Sequence, residues 1–342
     1  MTVDDRFEGL LDDLSGFYRS WLIYLGLELE LIAALHRAAG TGRTVEELAG
    51  DVGCASGPVD GWCRAAYAYG LVELVGRGEP APRFRVETEL ASVLLDERLP
   101  EYLGGQFVFS VGASLDHGRM LEFFRSGEPE GARSPRFHRA VEKLNAQDTV
   151  LFMDQALVHL DAAARALGDG GAALDVACGG AGWLVTMARA FPRASLTGIE
   201  FEPDWLERAR SRVRAAGFDG RITIESRDPV RLEWADRFDL VYLQDVLHEL
   251  PDPVDTLRGA AKALRAGGTL AVLDWCMPEE IEDYRSPHGE LLWGYQLDEL
   301  YQGTSLLTRE GFRRLFAEAG LSDPRLIELE AGATLFVVRR GD

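Results

Sequence analysis

Lysine is almost missing from this chain. Of its 36 basic residues only Lys143 and Lys262 are lysines, a bias of genome composition rather than of mechanism. Cysteine is scarce as well. The four cysteines (Cys54, Cys63, Cys178 and Cys276) are scattered, with no C-x-x-C pair and no Cys/His cluster at zinc spacing. That usage fits a reducing cytoplasm. Positive charge is outnumbered, 36 Lys and Arg against 56 Asp and Glu for a net charge of −20, which argues against a nucleic-acid backbone or an anionic membrane surface as the main partner. Long apolar runs are lacking too. The most apolar stretch, Trp21 to Leu35, is interrupted by Glu28 and Glu30 and is shorter than the ~18–20 residues that span a bilayer. The first residues, MTVDDRFEGLLDDL, have neither the basic start nor the apolar stretch of a signal peptide. The expectation is a soluble cytoplasmic protein with no membrane partner.

What is present is enough for a sizeable core: 46% of 342 residues are hydrophobic. Single cores stop growing near ~250–300 residues, so two domains are expected. Residues 7–39 read as helix, with apolar residues at Leu22, Leu25, Leu29, Ile32 and Leu35. Thr44 and Glu47 form a capping box that opens a short helix. A turn over Gly53–Gly57 and a second helix from Pro58 to Tyr69 follow, ended by Gly70. The segments LVELV and RFRV then read as two short strands around a Gly/Pro-rich tip. This order is a helix–turn–helix with a wing. Such a module either reads DNA or joins subunits, and charge decides. Residues 41–100 hold six basic against ten acidic residues, and the second helix has Arg64 as its only cation with Asp60 beside it. A DNA reader needs several cations for phosphates and base edges.

Residues 100–168 read as helical. From about 171 short β-type runs alternate with helices: 172–177, 194–200, 221–226, 238–244, 268–275 and 334–339, with helices such as Trp205–Ala216 and Pro253–Leu264 between them. That alternation predicts an α/β fold, a doubly wound and mostly parallel sheet. The first strand ends in Asp175-Val-Ala-Cys-Gly-Gly-Ala-Gly182 and leads into a helix. A loop of small residues there lets a ligand approach the backbone near a helix N-terminus. Glu200 closes the second strand, where a carboxylate can accept hydrogen bonds from both hydroxyls of a ribose. The dinucleotide spacing G-x-G-x-x-G is not matched, because the loop reads D-x-A-x-G-x-A.

At these residues the chain resembles the class I S-adenosylmethionine-dependent methyltransferases, whose signature is D/E-x-G-x-G-x-G, with Ala177 and Ala181 in place of the outer glycines. Arg227 and Asp228 follow the third strand, where the family places an acid that reads the adenine amino group. Phe201 stands where an apolar side chain packs on the adenine. FDLVYLQDVLHELPDP (238–253) resembles the fourth-strand motif and ALRAGGTLAVLD (263–274) the fifth-strand one. The resemblance implies S-adenosylmethionine as cofactor, S-adenosylhomocysteine as product, and Asp175, Ala177, Gly179, Glu200, Phe201, Arg227, Asp228, Gln244 and Asp245 as cofactor-binding residues.

A winged module ahead of Leu247-His248-Glu249-Leu250-Pro251-Asp252 narrows the resemblance to small-molecule O-methyltransferases of plant phenolic and bacterial natural-product type. It implies a dimerisation domain over 1–100, a helical linker and substrate-lid region over 101–168, and a Rossmann-like catalytic domain over 169–342, assembled as a homodimer through the N-terminal domain. His248 would be the general base, with Asp274 and Glu249 beside it. Histidine suits that task because its pKa lies near 6.5 and because ligands of open α/β sheets lie beyond the carboxyl ends of the strands. A histidine that merely packs at a helix start is the plainer alternative. The family's second acid is replaced by Leu306, which leaves open C- or N-methylation, or a non-methyl reaction using the same cofactor. A regulator that binds the cofactor or DNA is a further alternative. Phe107, Phe137, Asn145, Met153, Trp293, Tyr295 and Gln296 are the candidates for binding the acceptor. No Asp/Asp/Asn set for a divalent cation can be assembled, so no metal is expected.

Overall fold

The structure is a computed structural model that describes residues 2–75, 81–130 and 133–341. The chain divides into two compact units, Met1–His117 with Pro135–Gln147, and Gly118–Ser134 with Asp148–Asp342. The stretch 101–168 is therefore divided between them. Among the described residues no helix is long and apolar enough to cross a membrane.

The first unit opens with helix α1 (Val3–Glu28), which starts on a capping box between Thr2 and Asp5. The apolar spacing predicts one helix over 7–39, but the chain breaks at Glu30, which takes a left-handed φ of 56°, and restarts as α2 (Leu31–Arg37). Close packing explains the break. A Cβ on Gly26 would come within 2.8 Å of both Ile32 and Trp62, and the Trp62 indole donates to the Leu22 carbonyl. Folding α2 back onto α1 leaves Leu25 and Leu29 exposed, against the expected apolar face. Thr44 and Glu47 cap α3 (Val45–Val52) reciprocally, as expected, and α4 (Ser56–Ala68) follows. β1 (Glu73–Leu74) pairs antiparallel with β2 (Phe84–Arg85). Residues 76–80 of the expected tip lie outside the described residues. Next come α5 (Thr88–Leu95) and α6 (Gly104–Ser114). After α7 (Met120–Ser126), which belongs to the second unit, the first unit is completed by α8 (Pro135–Leu144). Leu31, Leu35, Leu48, Val59, Trp62 and Cys63 lie in its core.

The unit boundary falls within α9 (Ala146–Leu151), after Gln147, and the second unit continues through α10 (Asp161–Gly168) into the sheet. Its elements are β3 (Ala172–Val176), α11 (Gly182–Ala190), β4 (Ser195–Glu200), α12 (Pro203–Ala215), β5 (Ile222–Ser226), β6 (Phe238–Gln244), α13 (Pro253–Ala263), β7 (Leu264–Trp275), α14 (Pro287–Gln302), α15 (Arg309–Glu318), β8 (Arg325–Glu328) and β9 (Ala333–Arg339). The seven strands run in the order β5-β4-β3-β6-β7-β9-β8. The first five are parallel, and β9 joins antiparallel to both β7 and β8.

The two-residue period of the strands divides their side chains between two cores. Leu240 and Tyr242 of β6, with Ala271 and Leu273 of β7, enter one core. Val241, Leu243, Leu270 and Val272 enter the other. Near-continuous apolar runs are the expected signature of strands covered on both faces. β7 begins at Leu264 rather than Gly268, because Leu264 pairs with Phe238 across a register shift. β8 was not expected from the sequence. Arg-Leu-Ile-Glu is short and half polar, the character of a protected edge.

Phe336 of β9 is fully buried, with its ring 4.9 Å from Phe312 and 6.1 Å from Phe316. Phe336→Ala is expected to lower the unfolding free energy by about 3–5 kcal/mol in urea denaturation. A loss below about 1 kcal/mol would contradict this packing.

Candidate functional site

Four loops meet at the carboxyl edge of the parallel strands. The first, after β3, is forced into an unusual path: Ala177, Gly179 and Ala181 all have left-handed φ, at 55°, 48° and 60°. For the two alanines this costs roughly 1–3 kcal/mol each, which marks a backbone shaped for more than a turn. A Cβ on Gly179 would meet only the Trp205 ring, at 3.9 Å, so space lies open beside that backbone. The Gly179 amide donates to Glu200 Oε2 at 3.0 Å, and Glu200 Oε1 accepts from the amides of Phe201 and Glu202. Burial raises the Glu200 pKa against the pull of these amides. The carboxylate still has one of its roughly four acceptor positions open. Asp175 is buried in the neighbouring strand, its pKa pushed well up by desolvation and then by Glu200.

The other expected cofactor residues lie along the same edge. Glu200 pairs in register with Ser226, and the Arg227 amide donates to the Glu200 carbonyl. The Arg227 guanidinium is engaged by Glu225 at 3.1 Å and lies over the Trp234 ring. Asp228 Oδ1 accepts from the Val230 amide. Phe201 is exposed, an apolar side chain open to a ligand. Gln244, which ends β6, accepts from the Tyr242 hydroxyl. Asp245 follows with a left-handed φ of 47°, and its pKa is pushed up to about 7 by burial and then by the Asp274 charge.

His248 lies in the turn after β6. Its side chain is 2% exposed, and Nδ1 is 2.9 Å from Asp274 Oδ1 and 3.2 Å from Oδ2, at the end of β7. A carboxylate only accepts, so Nδ1 carries the proton of this bond and Nε2 faces the other way. Desolvation pulls the His248 pKa down, but the charge and hydrogen bond of Asp274, helped by Glu249 and Asp245, outweigh it and leave it well above 6.5. Glu249 is exposed. Its pKa is raised by desolvation first and by Glu299 second.

Two acids at this edge were not anticipated. Glu299 of α14 places Oε2 3.8 Å from His248 Nε2. Asp148, 2% exposed, has its pKa raised well up by burial and then by Asp245. Glu299 could have been found from the helical spacing Leu292, Gln296, Glu299, all buried on one side of α14. Leu306, at the position where the resemblance implies an acid, packs instead with Met277 and Leu292. The sequence offers no divalent-cation set. The fold nonetheless brings ligating atoms of Asp245, His248 and Asp274, and of His248, Glu249 and Glu299, within 4.8 Å of one another.

The expected acceptor residues fall in both units. Phe107, Phe137 and Asn145 belong to the first unit, where Phe137 is buried with its ring 5.8 Å from that of Phe109. In the second unit Met153 packs against the first sheet core and Tyr295 beside Leu292. The Trp293 ring lies 4.9 Å from that of Tyr284. Gln296 commits both ends of its amide to the following turn, donating to Ser305 and accepting from the Leu306 amide.

Residues 167–320 match a family model described as a methyltransferase domain. Among curated proteins, 27-O-demethylrifamycin SV methyltransferase of Amycolatopsis mediterranei is 36% identical over 105 residues, 30% of this chain and 38% of that one. A demethylmenaquinone methyltransferase of Listeria monocytogenes is 30% identical over 176 residues, 47% of this chain and 74% of the relative. The chain thus spans under two fifths of the first relative and about three quarters of the second. Human N-acetylserotonin methyltransferase, solved with S-adenosylmethionine, shares the fold over 100% of both chains at 19% identity, with a TM-score of 0.72.

Because folding raises the His248 pKa above its unfolded value of ~6.5, the stability it contributes is complete below that pH and is lost as pH rises through the folded value. In the cofactor-free protein the His248 imidazole is expected to titrate well above 6.5 by NMR, and Asp274→Asn to lower that titration by at least about one unit. A wild-type midpoint at or below 6.5 would contradict the pairing.

Proposed function

This chain belongs to the class I S-adenosylmethionine-dependent methyltransferases, and from that premise we propose that it methylates a hydroxyl of a small cyclic or aromatic acceptor. The observation that carries this reading is His248, backed by Asp274 on Nδ1 and open at Nε2 beyond the carboxyl end of β6. The open backbone beside Gly179 and the one open acceptor position of Glu200 fit a nucleoside that donates a ribose hydroxyl to this carboxylate. Asp175, Ala177 and Gly179 would cradle the cofactor, Phe201 would pack on its base, Asp228 would read the adenine amino group, and Arg227, Gln244 and Asp245 would complete the wall. When bound, S-adenosylmethionine supplies an electrophilic methyl group on a sulfonium.

The chain's own residues hold the acceptor in line and take its proton. His248 Nε2 receives the hydroxyl proton during attack, and Asp274 stabilises the imidazolium that results. The raised His248 pKa sets a condition: a base must first lose its proton, and a nearby cation favours that loss. Leu306, apolar where an acid is implied, favours a second reading in which the acceptor needs no strong base, as in C- or N-methylation or a non-methyl reaction of the same cofactor. The natural-product setting is supported by the rifamycin-methylating relative.

We read the first unit as a winged, dimer-forming module. The outward side of α1 carries Phe7, Leu10, Leu14 and Phe17, each more than half exposed. A patch of that kind marks an interface, and a second copy is the partner that the resemblance to the small-molecule O-methyltransferases implies. The four free cysteines suit a reducing cytoplasm.

His248→Ala is expected to lower turnover by roughly 10²-fold or more while cofactor affinity is retained; full activity would remove the base role. Light scattering should report a dimer, and the pair Leu10→Glu with Leu14→Glu a monomer. A wild-type monomer would end the dimer reading.

A further inference from the structure

The two ring nitrogens of His248 have different surroundings, and the second is not explained by its work as a base. Nδ1 is held by Asp274. Nε2 makes no hydrogen bond among the described residues, although the side chain is 98% covered, and it faces Glu299 Oε2 at 3.8 Å, too far for a direct bond. Glu299 is 8% exposed and is held in this pose by the Thr304 hydroxyl, which donates to Oε2 at 2.5 Å. No described residue donates to Glu299 Oε1 or to the Glu249 carboxylate. Ligating atoms of His248, Glu249 and Glu299 lie within 4.8 Å of one another.

The charged groups that act on Glu249 are Glu299, His248, Asp245 and Asp274. Those that act on Glu299 are His248, Asp298 and Asp274. Neither set contains a lysine or arginine, and Asp298 has its own partner in Arg133 at 2.7 Å. Two carboxylates this close, with one imidazole between them, repel each other unless the imidazolium, a shared proton or a further cation joins them. Backing the base is already the task of Asp274 on the opposite nitrogen. A neutral acceptor hydroxyl would engage Nε2 alone and leave both glutamates unpaired.

Resting on the methyltransferase reading, we infer that Glu299, with Glu249, selects acceptors that carry a protonated amine close to the hydroxyl that is methylated. An ammonium brings three donors and one positive charge to the two open carboxylates. Amine-free analogues are disfavoured because they bring no charge to complement the carboxylates. Asp274 and the imidazole then act on the hydroxyl, while Glu299 fixes which hydroxyl is presented.

A divalent metal ion would suit the same donors, and the test separates the two. Benzylammonium and its neutral isostere benzyl alcohol are titrated calorimetrically into the complex of the full chain with S-adenosylhomocysteine. Magnesium, manganese and zinc ions are titrated alone. Benzylammonium is expected to bind at least about tenfold more tightly than benzyl alcohol. Glu299→Gln should abolish that preference and Glu249→Gln should reduce it, both with wild-type affinity for S-adenosylhomocysteine, which also reports that each variant is folded. Equal binding of the probes, no binding of benzylammonium, or a preference that survives Glu299→Gln overturns the inference. So does a metal ion that binds the wild type but not Glu299→Gln, or a loss of S-adenosylhomocysteine affinity in a folded Glu299→Gln. Failure of S-adenosylhomocysteine to bind the wild type sinks the methyltransferase reading itself. Cofactor binding without amine preference removes only this inference.

Discussion

Everything at the candidate site depends on the parallel register of four central strands. Asp175 of β3 is in register with Gly198 of β4 and with Tyr242 of β6, and Gln244 of β6 with Leu273 of β7. Those pairings end the strands at a common edge. Residues far apart in sequence therefore emerge together: the loop after Val176, Glu200, Gln244 to His248, and Asp274. A one-residue slip of β7 would turn Asp274 to the other face of the sheet and leave His248 Nδ1 without a carboxylate.

The same edge carries a cost that the sheet has to bear. Ala177, Ala181 and Asp245 sit in left-handed backbone, and Asp148, Asp175, Asp245 and Glu299 are carboxyls whose pKa values burial raises. Strain and desolvation concentrated at one edge mark a surface organised for a ligand rather than for stability. The charge arrangement is one-sided, with several acids around a single imidazole, and so favours cationic occupants. A sulfonium cofactor meets that condition, and so does an amine-bearing acceptor.

Much of this was legible in the sequence because the signals were local. The β-type runs, the Thr44–Glu47 cap, the small-residue loop and Glu200 each need only a few neighbouring residues to be recognised. The expected partnership of Asp274 with His248 is matched by a distance of 2.9 Å. What sequence reasoning missed depends on tertiary packing. The break at Glu30 is invisible to apolar spacing, because the three-and-four period continues through α2. β8 is too short and too polar to stand out. Glu299 escaped notice because an acid on a helix reads as a solvated face until its neighbours Leu292 and Gln296 are seen to be buried. The hydrogen bonds of Gln296 to Ser305 and to the Leu306 amide are likewise invisible in the sequence, because polarity can be read from one residue at a time and pairing cannot.

The most direct test of the account is calorimetric titration of S-adenosylmethionine into the wild-type chain and into Glu200→Ala. The account predicts one saturable site per chain, weakened about 10- to 100-fold by the substitution, as expected for loss of hydrogen bonds to a charged group. Absence of binding to the wild type, or equal affinity in the two proteins, would contradict it.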